Sequence, residues 1–353
     1  MIWPPLLLAD PSPCLRWLVL RDLFGRPADD AELAELTPQR LADPLVADLL
    51  ARQDGDGAWR PDEQATGRRT RGASRVHSTA LALMRLGYLG FDATLPAVAS
   101  GAEYLFDQQR ADGAWPLRPE QALLDGNREL PAHERYSMMP LQTAFPLRAL
   151  AACGYATAPR AERAYAWLLA QRLPDGAWPT GKAAGVYGFV GGYRRLAHSR
   201  WGCRTNTTGA LICLALHPQH RTSAAARRAL DLLLGRETRD AYALGYEVAR
   251  LVGAEAPRGF LTFFARFDLA LMLDVCSRVG ATRDDARIAD MLTFVTSLQG
   301  AYGLWPYAPR PQVSRWLTLD LARSIARLEA NTGWVELEPR TPFQPYPRRD
   351  KRY

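Results

Sequence analysis

Four turns in this chain are spelled almost alike: Gln53-Asp-Gly-Asp-Gly-Ala-Trp59, Gln109-Arg-Ala-Asp-Gly-Ala-Trp115, Gln171-Arg-Leu-Pro-Asp-Gly-Ala-Trp178 and Gln299-Gly-Ala-Tyr-Gly-Leu-Trp305. Their tryptophans lie 56, 63 and 127 residues apart, so the last interval holds two repeats with a degenerate copy between them. Recurrence at a period of about 60 means one supersecondary unit stacked on copies of itself, each burying a face it could not bury alone.

Each copy reads the same way. Apolar residues at i, i+3 and i+4, as in Ala164-Tyr-Ala-Trp-Leu-Leu-Ala-Gln171, predict an amphipathic helix. The Asp-Gly pair ends it, because glycine takes the left-handed conformation that closes a helix C-terminus, and the tryptophan follows as an apolar plug. After a polar loop containing Arg and Gly comes a second helix, more apolar and richer in small residues: 78–87, 141–154, 207–217, 268–280 and 317–328. Residues 12–25 read as a sixth copy of this second kind. Residues 232–242 read as a repeat that kept its helix and lost its Gln and Trp.

A helix apolar nearly all round must be enclosed, whereas an amphipathic one can face water. Alternating the two kinds five or six times predicts an all-α (α/α)6 toroid of five to six helix hairpins. Enclosed helices form the inner layer, the last meets the first, and long loops gather at one end. No period-2 alternation is sustained anywhere. The toroid is expected over residues 1–335, followed by a Pro-rich, basic, extended tail over 336–353 that straps across the barrel and buries Phe343 and Tyr346.

Composition narrows the function classes. No apolar run approaches 18 residues, and Met1–Asp10 lacks the basic start of a secretory leader, so neither a membrane span nor a signal is expected. The five cysteines are odd in number and form no CxxC pair, which predicts buried thiols in a reducing, cytoplasmic compartment. Of 44 basic residues all but Lys182 and Lys351 are arginine, in a chain rich in Ala, Leu, Gly and Pro. A GC-rich genome explains that bias, so the net charge of +7 does not by itself predict a nucleic-acid partner.

The recurring Gln…Asp/Tyr-Gly-x-Trp turn after an amphipathic helix resembles the QW motif of the squalene-hopene cyclase and protein prenyltransferase β-subunit superfamily, over about residues 10–330. The resemblance implies a toroid of six helix pairs with a cavity for an isoprenoid-like ligand down its centre. It also implies that Gln53, Trp59, Gln109, Trp115, Gln171, Trp178, Gln299 and Trp305 brace the outer layer and do no chemistry.

Chemistry is expected where the inner helices begin. The loops leading into them (60–76, 116–137, 179–204, 237–267 and 306–315) carry a formal charge of +9, more than the whole chain's +7. Helix N-termini there offer free N–H groups, and guanidiniums grip phosphate or carboxylate bidentately. The candidate ligand-binding residues are Arg75, His77, Tyr136, Arg200, Trp201, Arg204, Arg266, Arg315 and Trp316: arginines for an anionic head, aromatics along an apolar chain. The plainer reading of the same residues is a solvated rim, with Asp268 a helix N-cap, Trp316 packing, and the arginines paired with Glu134, Asp268 and Asp320. The segment 185–193, rich in Gly and aromatics, reads either as a lid or phosphate nest or as a surface loop.

The superfamily's class II terpene cyclases use a D-x-D-D acid, and this chain has none; Asp29-Asp30 and Asp284-Asp285 fall in turns before outer helices. Asp268, Asp320 and His77 remain as catalytic candidates, with Asp320 reading first as a partner of Arg323. The prenyltransferase zinc pattern is matched only by Asp274-Val-Cys276, near the end of an inner helix and with no histidine after it. No cofactor is therefore expected, with zinc or magnesium as the alternative. His198 and Cys203, with His77 and Asp268, are the fallback zinc donors, while His217 and His220 read as a surface turn. The expectation is a small-molecule binder that takes an isoprenoid-like or other apolar ligand with an anionic head into a central cavity, as a cyclase or transferase if it catalyses. The alternative is a non-catalytic toroid scaffold whose Arg-rich rim binds a protein or nucleic acid. Ligand identity and oligomeric state are not legible.

Overall fold

A computed structural model of the chain describes residues 4–60, 74–116, 139–183, 186–187, 193–235, 243–255, 268–334 and 341–342. After α1 (Pro4–Leu8), inner and outer helices alternate. The inner layer starts with α2 (Pro13–Asp22), and α3 (Ala31–Leu41) and α4 (Pro44–Leu50) lie outside it. Then come inner α5 (Arg75–Tyr88), outer α6 (Pro96–Asp107), inner α7 (Pro140–Ala152), outer α8 (Pro159–Ala170), inner α9 (Arg204–Leu216) and outer α10 (Ala224–Leu234). A short α11 (Tyr246–Leu251) precedes inner α12 (Leu269–Val279), outer α13 (Ala286–Ser297) and inner α14 (Ser314–Ala330). Strand structure is limited, among the described residues, to a small antiparallel pairing of Lys182–Ala183 with Val186–Tyr187.

Burial follows the predicted layers. Every residue from Pro140 to Ala151 on α7 and from Arg204 to Ala215 on α9 is buried. Outer α8 instead buries one stripe, Ala161, Ala164, Tyr165 and Leu168. Consecutive inner helices pack against one another from α5 through α7, α9 and α12 to α14, and α14 returns to α2. Two ion pairs seal that seam: Arg315 to Asp10 at 3.1 Å and Arg323 to Asp22 at 3.0 Å. Asp30 and Asp285, the second member of each Asp-Asp pair, are N-caps of the outer helices α3 and α13.

The repeated turns are cross-braced in the same way each time. The indole N–H of Trp59, Trp115, Trp178 and Trp305 donates to a carbonyl ten residues back, Leu49, Leu105, Leu168 and Val295, at 2.6–2.8 Å. The Gln53 amide spans its own turn at Gly57 O and the next outer helix at Ala97 O, and Gln109 does the same at Gly113 O and Arg160 O. Gly113 holds φ +95°, and a Cβ there would lie 2.5 Å from the Arg163 carbonyl oxygen of α8; only glycine permits both the conformation and the approach.

One segment departs from expectation. Residues 237–267 were predicted as a single loop, yet α11 folds within them, inside the ring, touching α5, α12 and α14 and pairing Glu247 with Arg148 of α7 at 2.7 Å. Beyond α14, Trp334 Nε1 donates to Asp285 at the start of α13 and the Thr341 backbone N–H to Asp231 of α10. Phe343 and Tyr346 fall outside the described residues.

Candidate functional site

The ring holds a half-open chamber of about 460 Å³, bounded by the inner helices and by the short inner-to-outer turns Gly90–Asp92 and Gly154. That volume lies in the range of roughly 300–1,000 Å³ common to small-molecule sites. Val248 and Leu251 of α11 contribute to its wall together with Met84, Ile212, Leu271 and Val275. Charged groups share the lining: Arg21, Arg148, Arg278, Arg323 and Arg327 against Asp22, Asp92, Glu247, Asp274 and Asp320. The chamber is thus amphipathic, and it lies at the end of the inner helices opposite the Arg-rich loops.

This end collects arginine for a physical reason. Inner helices leave unpaired carbonyls at their C-termini, where the helix dipole favours cations, and Arg21, Arg278 and Arg327 occupy last turns. Their carboxylate partners follow. Asp274 accepts from Arg278 Nε at 2.8 Å and from Arg327 Nη1 at 2.9 Å. Burial pushes its pKa upward, but those two guanidiniums prevail and hold it below the ordinary carboxylate range. Glu247 lies among Arg148 and Arg250 with the same result.

Asp320 behaves oppositely. Burial, and then the charge of Asp274, push its carboxyl up to about 7, and no described residue hydrogen-bonds that carboxyl. The expected Asp320–Arg323 pair does not form; the Arg323 guanidinium crosses the seam to Asp22 on α2 instead. Arg323 is only 8% exposed, and its Nη2 has no hydrogen-bond partner among the described residues. The Tyr88 hydroxyl, on the last residue of α5, is buried without a partner as well. Two carboxyls in one wall are therefore shifted in opposite directions, beside two unsatisfied donors.

The residues singled out from sequence are dispersed. Arg75 bridges Asp54 and Asp56 at 2.7–3.0 Å and lies over Tyr104, which ties the first repeated turn to α5. His77 packs on Phe145 at 4.5 Å, and burial with nearby Arg250 drives its pKa down to about 4, so the ring is neutral. Arg200 is exposed over Trp201, whereas Arg204 is buried as the first residue of α9. Arg315 pairs with Asp10, and Trp316 is buried against Tyr88. Asp268 caps α12 and accepts backbone N–H groups from Gly245, Glu247 and Ala270, fixing α11 to α12. Tyr136 and Arg266 lie outside the described residues.

The fallback metal donors do not converge: His198 is exposed with φ +60°, while Cys203 is buried with its backbone N–H donating to Trp178 O. Among the described residues the one cluster of three donors is Glu162, His217 and His220. His217 Nδ1 accepts from the backbone N–H groups of Gln219 and His220, both at 3.1 Å, so the proton resides on Nε2, 2.9 Å from Glu162. The nitrogen facing the cluster is a donor, not a free lone pair, and the trio reads as a brace between α8 and α9.

What sequence reading missed has a visible signal. An enclosed helix should be apolar, so Arg148, Asp274, Arg278, Asp320, Arg323 and Arg327 inside inner helices mark an internal polar site.

Residues 38–194 match the family model described as the squalene-hopene cyclase C-terminal domain, a stretch that holds the first three repeated turns. That stretch is similar to the family's domain. No curated protein matches the chain. Among solved structures it is similar to a protein from Actinoplanes, at 18% identity over 90% of each chain, TM-score 0.42. It is also similar to a type II terpene cyclase from Scytonema in complex with geranylgeranyl dihydroxybenzoate, at 15% identity over 80% of this chain and 95% of that one, TM-score 0.35. No described helix is long and apolar enough to cross a membrane.

Proposed function

We propose that this terpenoid-cyclase-like protein takes a small molecule with an apolar, isoprenoid-like body and a polar head into the central chamber. The observation that carries the reading is the mixed wall, which combines Met84, Ile212, Leu216, Val248, Leu251 and Val275 with a charged cluster that includes Asp320 and Arg323. The head is placed at the C-terminal end of the inner helices rather than at the loop-bearing end. The scaffold alternative loses support because the rim arginines Arg75 and Arg315 are engaged by Asp54, Asp56 and Asp10.

The chemistry follows from the acid. A carboxyl that titrates near neutrality suits proton transfer at oxygen or nitrogen. Protonation of an alkene needs a far stronger acid, which agrees with the missing D-x-D-D sequence. The reading is therefore of a binder or a general acid–base enzyme.

Leu216 lines the chamber, so Leu216→Trp puts an indole in the ligand's volume. Calorimetric titration with farnesoic acid should show affinity falling at least about tenfold in this variant, with unchanged far-UV circular dichroism. Binding unaffected by the indole would overturn the proposal.

A further inference from the structure

We propose that Tyr88, Asp320 and Arg323 form a carboxylate-binding subsite, in which the ligand's carboxylate rests on the guanidinium and accepts hydrogen bonds from the phenol and from the carboxyl of Asp320. The inference rests on the chamber being the ligand site and adds what the head must be.

Three observations converge. Arg323 is more than nine-tenths buried, lines the chamber and keeps Nη2 without a hydrogen-bond partner among the described residues, an arrangement that costs stability unless something accepts from it. Tyr88 presents a second buried donor from the end of α5. Asp320 faces the same space with no described hydrogen bond. A protonated carboxyl is a donor, so all three groups call for an acceptor.

Charge selects which acceptor. The groups facing Asp320 are Asp274 and Arg278 from α12, Arg323 and Arg327 from α14, and Tyr88 from α5. With Asp320 protonated, the wall holds five guanidiniums against four carboxylates, and one of those, Glu247, also serves Arg250 behind the wall, so positive charge is in excess. A carboxylate offsets that excess. The planar guanidinium fork also matches a carboxylate.

Binding should then depend on a proton. Loss of the Asp320 proton replaces a hydrogen bond by repulsion between two carboxylates, so affinity is full below Asp320's titration near 7 and falls about tenfold for each pH unit above it. Titration with farnesoic acid, farnesol and farnesyl diphosphate, each at pH 6 and pH 9, tests this.

The expected result is farnesoic acid bound most tightly at pH 6 and about a hundredfold more weakly at pH 9, with farnesol insensitive to pH. Asp320→Asn should abolish the pH dependence. Tyr88→Phe and Arg323→Lys should each weaken the acid at least about threefold and leave farnesol unchanged. If acid and alcohol bind alike at both pH values and Leu216→Trp blocks both, the subsite is wrong and the chamber reading stands. Preference for the diphosphate overturns the carboxylate assignment. Failure of all three probes removes both proposals.

Discussion

The backbone N–H of Trp178 donates to Thr207 Oγ1 at 3.0 Å, joining the tip of a repeated turn to the first turn of the next inner helix. The pairing recurs between Trp59 and Thr79, Trp115 and Thr143, and Trp305 and Thr318. All four threonines are fully buried, so each hydroxyl is the partner a buried amide would otherwise lack. Thr207→Val keeps the shape and removes the acceptor. It should cost about 1–3 kcal/mol in urea unfolding, and Thr207→Ser should recover most of the loss.

Glycines with positive φ answer to sterics that differ from one position to another. Gly113→Ala combines φ +95° with a Cβ 2.5 Å from the Arg163 carbonyl oxygen and should destabilise by more than about 2 kcal/mol. Gly25 has φ +62° and nothing within 4 Å of its Cβ position, so Gly25→Ala should lose about 1 kcal/mol, the conformational part alone. Equal thermal-midpoint losses for the two would show that close packing of turn on helix plays no part.

Glu247 is buried among Arg148 and Arg250, at 2.7 Å from each, and anchors α11 inside the ring. Glu247→Gln leaves two guanidiniums in a low-dielectric interior without their counter-charge. The expected loss is about 3–5 kcal/mol by chemical denaturation, far above the median for an exposed pair. Glu329, exposed and 3.3 Å from Arg283, supplies the contrast: Glu329→Gln should shift stability by under about 1 kcal/mol.

His77 gives stability a defined pH window. Its folded pKa is about 4, below the ordinary 6.5, because burial and then Arg250 disfavour the imidazolium. Between those values the unfolded chain binds a proton that the folded chain refuses. The neutral ring's contribution is therefore complete above 6.5 and is lost as pH falls toward 4. Thermal midpoints of the wild type minus those of His77→Gln should be flat from pH 7 to 8 and decline steadily from 6.5 to 4. A flat difference across the whole range would mean that His77 titrates alike in both states.

The toroid was legible because the repeated turn is local: Gln, Asp-Gly and Trp act within one hairpin and its immediate neighbour, as Gln53 shows by reaching both Gly57 and Ala97. The site was less so. Arginine density in the loops pointed to the end where inner helices begin, but Arg75 and Arg315 serve turn and seam there. The recurring threonines escaped notice because their distance from the tryptophan varies with loop length while their place on the inner helix does not.

By itself the sequence determined the number of layers, which helices are enclosed, and the bracing of each turn, since periodicity and a glycine's backbone freedom act over a few residues. Only the tertiary structure decided where the interior is hollow. Placing α11 within the ring, and setting Tyr88 at the end of one helix beside Asp320 and Arg323 on another more than 230 positions later, depends on closing the circle. Burial and charge there, which push the Asp320 carboxyl up while holding Asp274 down, are sums over helices far apart in the chain.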